Sequence, residues 1–228
     1  MTSAIIVAAG KSLRMGANVD KLFFEVAGKP VVVHTWQRFA EAEVIDELIL
    51  VVREGLQDGF RELATKFKLP SNYQLVAGGE KRQDSVWNGL QAVAGNTDVV
   101  AIQDAARPCT GQEVIAKTII AAREHGAAVA AQRVVDTIKE STDGETVSRT
   151  LDRDRLWAVQ TPQCFRVEIL RKALTEVRSR GVIVTDDTAA CDLIGQKVHL
   201  VPSSEPNPKI TRPEDVAYLE VLLRRNKG

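Results

Sequence analysis

The sequence is short of everything that staples or anchors a chain. Of 228 residues only three are cysteine, Cys109, Cys164 and Cys191, far apart, without a C-x-x-C pair and odd in number. A disulfide framework is not expected, and a reducing cytoplasm suits the chain. No apolar run approaches the roughly 20 residues of a membrane span. The run near the N-terminus is too short for a signal sequence and has no basic residues ahead of it. Net charge is also absent, since 30 Lys and Arg balance 30 Asp and Glu. The bulk charge therefore favours neither nucleic acid nor an anionic membrane, and any anion site must be local. His34, His125 and His199 are scattered without metal-ligand spacing, so zinc is not expected. No Ser-His-Asp system is evident.

Two familiar phosphate loops are missing as well, although AIIVAAGKSLRMG (Ala4 to Gly16) begins as both do, with a buried strand breaking into a Gly-containing turn. The P-loop needs Lys-Ser/Thr after its second glycine, but Gly16 is followed by Ala17 and Asn18. The dinucleotide fingerprint needs a second glycine where Ser12 stands.

What the chain does have is alternation. Continuous apolar runs at Ala4–Ala8, Glu47–Val52, Tyr73–Ala77, Asp98–Gln103, Ala127–Ala131 and Lys197–Val201 read as parallel strands covered on both faces. Helical periodicity occupies Pro30–Ala42, Leu56–Phe67, Asp84–Ala94, Thr110–His125, Arg166–Arg180, Asp186–Ile194 and Arg212–Arg225. The expectation is an α/β fold, a single domain over residues 1–228 built on a doubly wound, mostly parallel sheet. Only Thr137–Trp157, TIKESTDGETVSRTLDRDRLW, departs from the rhythm, alternating polar and β-prone residues around Asp143-Gly144 as a β-hairpin arm would. An isolated ribbon is marginally stable, so the arm needs either a second subunit or local stabilisation.

Chemistry-bearing residues cluster in loops after strands. Lys11, Arg14 and Lys21 follow the first strand, at the edge where doubly wound sheets bind ligands, and three cations there suit a polyphosphate. In GGEKRQDSVWNGL, Asp84 or Ser85 is a candidate helix cap, while the Gly78-Gly79 pair allows close backbone approach to a planar ligand. In QDAARPC, Asp104 is either a hard-oxygen Mg²⁺ ligand facing phosphates or a turn cap paired with Arg107, itself a planar fork for phosphate. Lys209 lies in the extended stretch NPKIT, and Thr185 and Asp186 stand at a helix start.

Taken in order, AAGKSLRMG with Lys21, GGEKRQDSV, DAARP, DTIK, LWAVQTPQ, TDD and NPKIT closely resemble motifs of the 2-C-methyl-D-erythritol 4-phosphate cytidylyltransferases of non-mevalonate isoprenoid synthesis, across nearly the whole chain. The resemblance implies a Rossmann-like fold of the nucleotide-diphospho-sugar transferase type. It implies transfer of CMP from CTP to methylerythritol phosphate with Mg²⁺ on Asp104, by a homodimer joined through the arm. Ala8, Ala9 and Gly10, with Lys11 and Ser12, would lie along the CTP. Gly79, Glu80 and Ser85 would read the cytosine, and Arg14, Lys21 and Lys209 would surround the phosphates. Thr137 and Arg153 of the arm would serve the neighbour's sugar-phosphate site alongside Arg107, Thr161 and Thr185. The alternatives are another polyol-phosphate cytidylyltransferase, such as one for ribitol 5-phosphate, or a non-catalytic CTP-binding protein. Against the family pattern, Ser12 replaces a usual glycine and Gln103 a frequent histidine.

Overall fold

The computed structural model describes residues 1–10 and 20–225. The chain begins with β1 (Thr2–Ala8), the short pair β2 (Glu25–Val26) and β3 (Lys29–Pro30), α1 (Val31–Ala40), β4 (Glu47–Val52), α2 (Gln57–Lys66) and β5 (Tyr73–Ala77). It continues through α3 (Arg82–Ala92), β6 (Val99–Asp104), α4 (Gln112–His125), β7 (Ala127–Arg133), β8 (Lys139–Glu140) and β9 (Arg149–Thr150). Last come β10 (Trp157–Arg166), α5 (Val167–Arg180), α6 (Asp187–Asp192), β11 (His199–Pro202) and α7 (Asp215–Arg225). The main sheet has seven strands in the order β11-β7-β10-β6-β1-β4-β5.

The strands lack polar alternation because both faces are covered. Along β1, Ala4, Ile6 and Ala8 enter the core shared with α1, α2, α4 and α7, while Ile5 enters the opposite core with α3, α5 and α6. In register, Ile5 is flanked by Ile49 of β4 and Ile102 of β6. The first core is keyed by Trp36 of α1, which is fully buried, edge-on to Tyr73 at 4.7 Å between ring centroids and 6.5 Å from Phe60. Its indole Nε1 has no hydrogen-bond partner among the described residues, so Trp36 contributes through packing alone. All three cysteines are free and buried. Among the described residues no helix is long and apolar enough to cross a membrane.

Most element boundaries fall within a few residues of those read from the sequence; two features do not match it. The sequence suggests an arm reaching Trp157 and a helix from Arg166, with nothing between, yet those residues form β10, antiparallel to both β6 and β7. Pro162 masks the strand, because proline cannot donate to a ladder and normally marks an edge or an irregularity. Here it sits inside a register shift between Val159 and Gln163. Likewise α3 starts at Arg82, so neither Asp84 nor Ser85 is its N-cap; Asp84 in the first turn instead accepts from the Lys81 backbone N–H at 3.1 Å.

The arm is present as a thin ribbon in which Lys139 pairs with Thr150 and Glu140 with Arg149. Residues 141–150 are all exposed. Its tip is held locally: Gly144 takes a positive φ of 78°, and the Asp143 carboxylate accepts from the Glu145 and Thr146 backbone N–H groups at 2.9 and 2.8 Å. Truncation of the aromatic key, Trp36→Ala, should cost about 3–5 kcal/mol, read as a lowered urea midpoint with an unchanged slope.

Candidate active site

β1 is the point where the strand order reverses: the chain builds outward through β4 and β5, then returns to place β6 on the other side of β1. In open α/β sheets the carboxyl ends of such strands flank a ligand crevice. A cleft of about 750 Å³ lies here, lined by Ala9 and Gly10 after β1, Arg53 after β4, Gly78 to Arg82 after β5, Asp104 at the end of β6, and Lys21 and Lys209.

The glycine pair after β5 answers first to the protein's own packing. A Cβ on Gly78 would lie 2.3 Å from Ala9 Cβ, and one on Gly79 2.3 Å from Asp84 Cβ. The loop is pressed against the end of β1 on one side and the first turn of α3 on the other. Ser85, 2% exposed, completes it by accepting from the Gly79 N–H at 3.1 Å and donating to the Lys81 carbonyl at 3.2 Å. Glu80 stands exposed at the rim.

Asp104 is the electrostatic centre of the cleft. Its side chain is 11% exposed and surrounded by three cations: Lys209 Nζ at 2.7 Å and Arg82 Nε at 3.4 Å from elsewhere in the chain, and Arg107 Nε at 3.6 Å from three residues on. Burial disfavours the charged carboxylate, but Arg82, then Lys209 and Arg107, outweigh it and hold the pKa down at about 2. Arg82 also donates from Nη1 to Asp187 Oδ2 at 2.7 Å. Burial works against the Arg82 charge, yet Asp187 and Asp104 bind its proton more firmly than usual. Asp187 has no exposed side-chain surface, and burial raises its pKa against the pull of Arg82.

Backbone contacts lock the cluster in place. Thr161 Oγ1 accepts from the Asp104 N–H at 3.1 Å, Asn207 Nδ2 donates to the Thr161 carbonyl at 2.8 Å, and Arg107 Nη1 donates to the Asn207 carbonyl at 2.6 Å. The β6 loop, the irregular part of β10 and the segment carrying Lys209 are thereby fastened together. Gln103 is wholly buried. Its Nε2 donates to Thr110 Oγ1 at 2.9 Å and to the Asp104 carbonyl at 3.2 Å, bracing the loop rather than facing the cleft.

Of the residues singled out in the sequence, Ala9, Gly10, Lys21, Gly78, Gly79, Glu80, Ser85, Asp104 and Lys209 line this cleft. Arg107 and Thr161 support it through Asp104. Ala8 is buried at the end of β1. Thr137 and Arg153 are exposed on the arm side, where Arg153 Nη1 donates to the Val135 carbonyl at 2.9 Å. Thr185, also exposed, precedes Asp186, whose carboxylate caps α6 through the Ala189 N–H at 2.9 Å. Lys11, Ser12 and Arg14 lie outside the described residues. The residues that sequence reasoning left without a role are Arg82, Asp187 and Asn207. Arg82 had one signal, a cation in the first turn of a helix, where the dipole disfavours it.

The model of the 2-C-methyl-D-erythritol 4-phosphate cytidylyltransferase family matches residues 2–225. The chain belongs to that family. A relative of that name from Geobacillus kaustophilus is 40% identical over 220 residues, 96% of each chain. One from Alkaliphilus oremlandii is 39% identical over 99% of this chain and 96% of its own. The crystal structure of a 4-diphosphocytidyl-2C-methyl-D-erythritol synthase from Anaerococcus prevotii superposes with a TM-score of 0.87 at 30% identity, covering 98% of this chain and 96% of that one. The family match extends through β10 and the segment carrying Lys209.

Among the described residues no group of three or more His, Cys, Asp or Glu could hold a metal ion alone. A single ionised carboxylate is the share a protein usually gives Mg²⁺, with substrate phosphates and waters completing its shell, and phosphates would first have to draw off the cations that hold Asp104 here.

Two outcomes follow from this geometry. Because the Asp104 pKa is depressed from 3.8 to about 2, the stability it confers, on the order of 2 kcal/mol, is present above pH 4 and lost as pH falls through about 2. Urea unfolding of Asp104→Asn against the wild type should therefore show a gap at neutral pH that narrows between about pH 4 and pH 2. Gly78→Ala forces the β1 and β5 exits apart and should lower stability by about 1–3 kcal/mol, measured as a shift in denaturant midpoint.

Proposed function

We propose that this chain, acting as a single nucleotidyltransferase domain, transfers CMP from CTP to 2-C-methyl-D-erythritol 4-phosphate, giving 4-diphosphocytidyl-2-C-methyl-D-erythritol and pyrophosphate. Family membership supports the reaction. The observation that carries it to particular residues is the convergence of Lys21, Arg82, Lys209 and Asp104 on one cleft beside Ala9-Gly10 and Gly78 to Glu80.

The acceptor phosphomonoester, with a second pKa of about 6, is already an oxyanion at neutral pH, so no general base is required. Its oxygen forms a bond to the α-phosphorus of CTP while the bond from that phosphorus to the α–β bridging oxygen breaks, and pyrophosphate departs with the electron pair. Two anions must meet and charge builds on the leaving phosphates, so positioning and electrostatic stabilisation supply most of the rate. Lys21, Lys209 and Arg14 take the phosphates; to do so Lys209 gives up its 2.7 Å contact with Asp104. Asp104 would hold Mg²⁺, which supplies charge neutralisation on the phosphate oxygens. Ala8 to Ser12 and the loop of Gly79, Glu80 and Ser85 hold the nucleotide.

Arg107 and Thr185 take the acceptor phosphate, with Thr161, buried under Asp104, supporting that site, and Thr137 and Arg153 serve the neighbour's site in a homodimer. The exposed ribbon, with Val135 and Val147 at 80% and 62% exposure, is the surface such a partner would cover. A cytoplasmic enzyme acting on small molecules, without nucleic acid or membrane, completes the reading.

The test is pyrophosphate release from CTP and Mg²⁺ with methylerythritol phosphate and ribitol 5-phosphate in parallel. The expected outcome is rapid release with the first alone, and a fall of about 10²- to 10³-fold for Asp104→Ala. No release from folded protein, or preference for ribitol 5-phosphate, contradicts the reading.

A further inference from the structure

The role of Asp104 as the carboxylate facing metal and phosphates leaves a physical problem. In the free protein Lys209 is its nearest cation at 2.7 Å, and Lys209 is also the residue that must turn to the phosphates. Arg107 stays at 3.6 Å, but its Nη1 is committed to the Asn207 carbonyl at 2.6 Å. Arg82 is the remaining cation, and it is fixed from behind. Its Nη1 is seated on Asp187 Oδ2 at 2.7 Å, and the Asp187 side chain is completely buried.

Asp187 is itself held by the wall of the site. Its backbone N–H donates to Gln163 Oε1 at 3.1 Å, and Gln163 Nε2 donates to Asp186 Oδ2 at 2.9 Å. Its second oxygen, Oδ1, is buried without a partner among the described residues. A buried carboxylate with an unsatisfied oxygen is a poor device for stability. It is a good anchor for a guanidinium that must not follow the phosphates. A lysine at this position would be a point charge without a planar fork, and one ammonium cannot reproduce donors set apart on Nε and Nη1 toward two carboxylates.

We infer that Arg82 is a positioning residue for nucleotidyl transfer, anchored on buried Asp187, that keeps the Asp104 carboxylate aimed when Lys209 leaves it. This rests on the reading of Asp104 given above. It differs from that reading by assigning α3 and α6, which bring Arg82 and Asp187 together, a part in setting the metal affinity of the nucleotide-bound site. Outer partners of a liganding carboxylate typically change metal affinity or activity by about 10- to 100-fold when removed.

The experiment uses full-length wild type, Arg82→Lys, Asp187→Asn and Asp104→Asn. Mn²⁺ binding in the presence of CTP, without acceptor, is followed by the electron paramagnetic resonance signal of free Mn²⁺. Turnover with methylerythritol phosphate is measured alongside, over a range of Mg²⁺. Arg82→Lys and Asp187→Asn should bind Mn²⁺ roughly 10-fold more weakly and lose roughly 10-fold or more in kcat. Their affinity for CTP in the absence of divalent metal should stay within about twofold, since Arg82 acts through Asp104 and not on the nucleotide, and the weaker metal site then appears as weaker CTP binding only when metal is present. Arg82→Ala, assayed with added guanidinium ion, should regain turnover that Arg82→Lys does not.

Wild-type Mn²⁺ binding and kcat in folded Arg82→Lys would overturn the inference, as would a roughly 10-fold loss of CTP affinity measured without divalent metal. Unaltered Mn²⁺ binding and turnover in Asp104→Asn would instead overturn the reading beneath it, and the two failures are distinguishable because each is read on its own variant.

Discussion

A carboxylate as enclosed as Asp104, at 8% exposure, stays ionised only if cations are brought to it. Two come from stretches remote in sequence, Arg82 from the start of α3 and Lys209 from the extended chain after β11, and the third, Arg107, from the loop that Asp104 itself opens. Burial of neighbouring apolar residues, Ala105 and Ala106 beside Arg107, Ile210 beside Lys209 and Val86 in α3, brings these stretches to the sheet edge. The ionic cluster fixes where their charges meet, and hydrogen bonds among Thr161, Asn207 and the Arg107 guanidinium lock its arrangement. The geometry of the cleft therefore depends on one charged group and what it recruits.

The same arrangement prepares the cleft for anions. In the free protein the cations are partly neutralised by Asp104 and Asp187, so the site is stable without ligand. In the proposed reaction, negative charge from an entering polyphosphate would replace what Asp104 gives Lys209, and the carboxylate would be freed for a cation brought with the nucleotide. Such an exchange needs no large conformational change, only a change of partner at 2.7 Å. The fixed elements are those with buried partners, above all Asp187 and the glycine loop pressed between Ala9 and Asp84.

Much of the fold was legible in the sequence because burial on both faces leaves a local trace. The runs of β1, β4, β6 and β7 are continuous and apolar, and the helices between them keep helical periodicity. What failed was β10, where polar residues and Pro162 hide a strand whose pairing partners lie elsewhere in the chain. In the site, residues following strands at the sheet's carboxyl edge, such as Asp104, Lys21 and Gly79, were identifiable from position and residue type. Arg82, Asp187 and Asn207 were not, because their significance lies in pairings some hundred residues apart, such as Arg82 with Asp187 and Arg107 with Asn207. No window of local sequence contains those pairings. The glycine pair was noticed for the right position but given an incomplete cause, since its need for small residues comes first from Ala9 and Asp84.

The central claim is that Asp104 and the nucleotide's phosphates compete for the same cations and that a divalent ion resolves the competition. Calorimetric binding of CTP to wild type and Asp104→Ala, with Mg²⁺ and then with chelator, tests it most directly. The account predicts a crossing: without metal Asp104→Ala binds CTP more tightly, its Lys209 being released while Arg82 stays on Asp187, whereas with Mg²⁺ the wild type binds more tightly. Equal affinities for the two proteins under both conditions would contradict it.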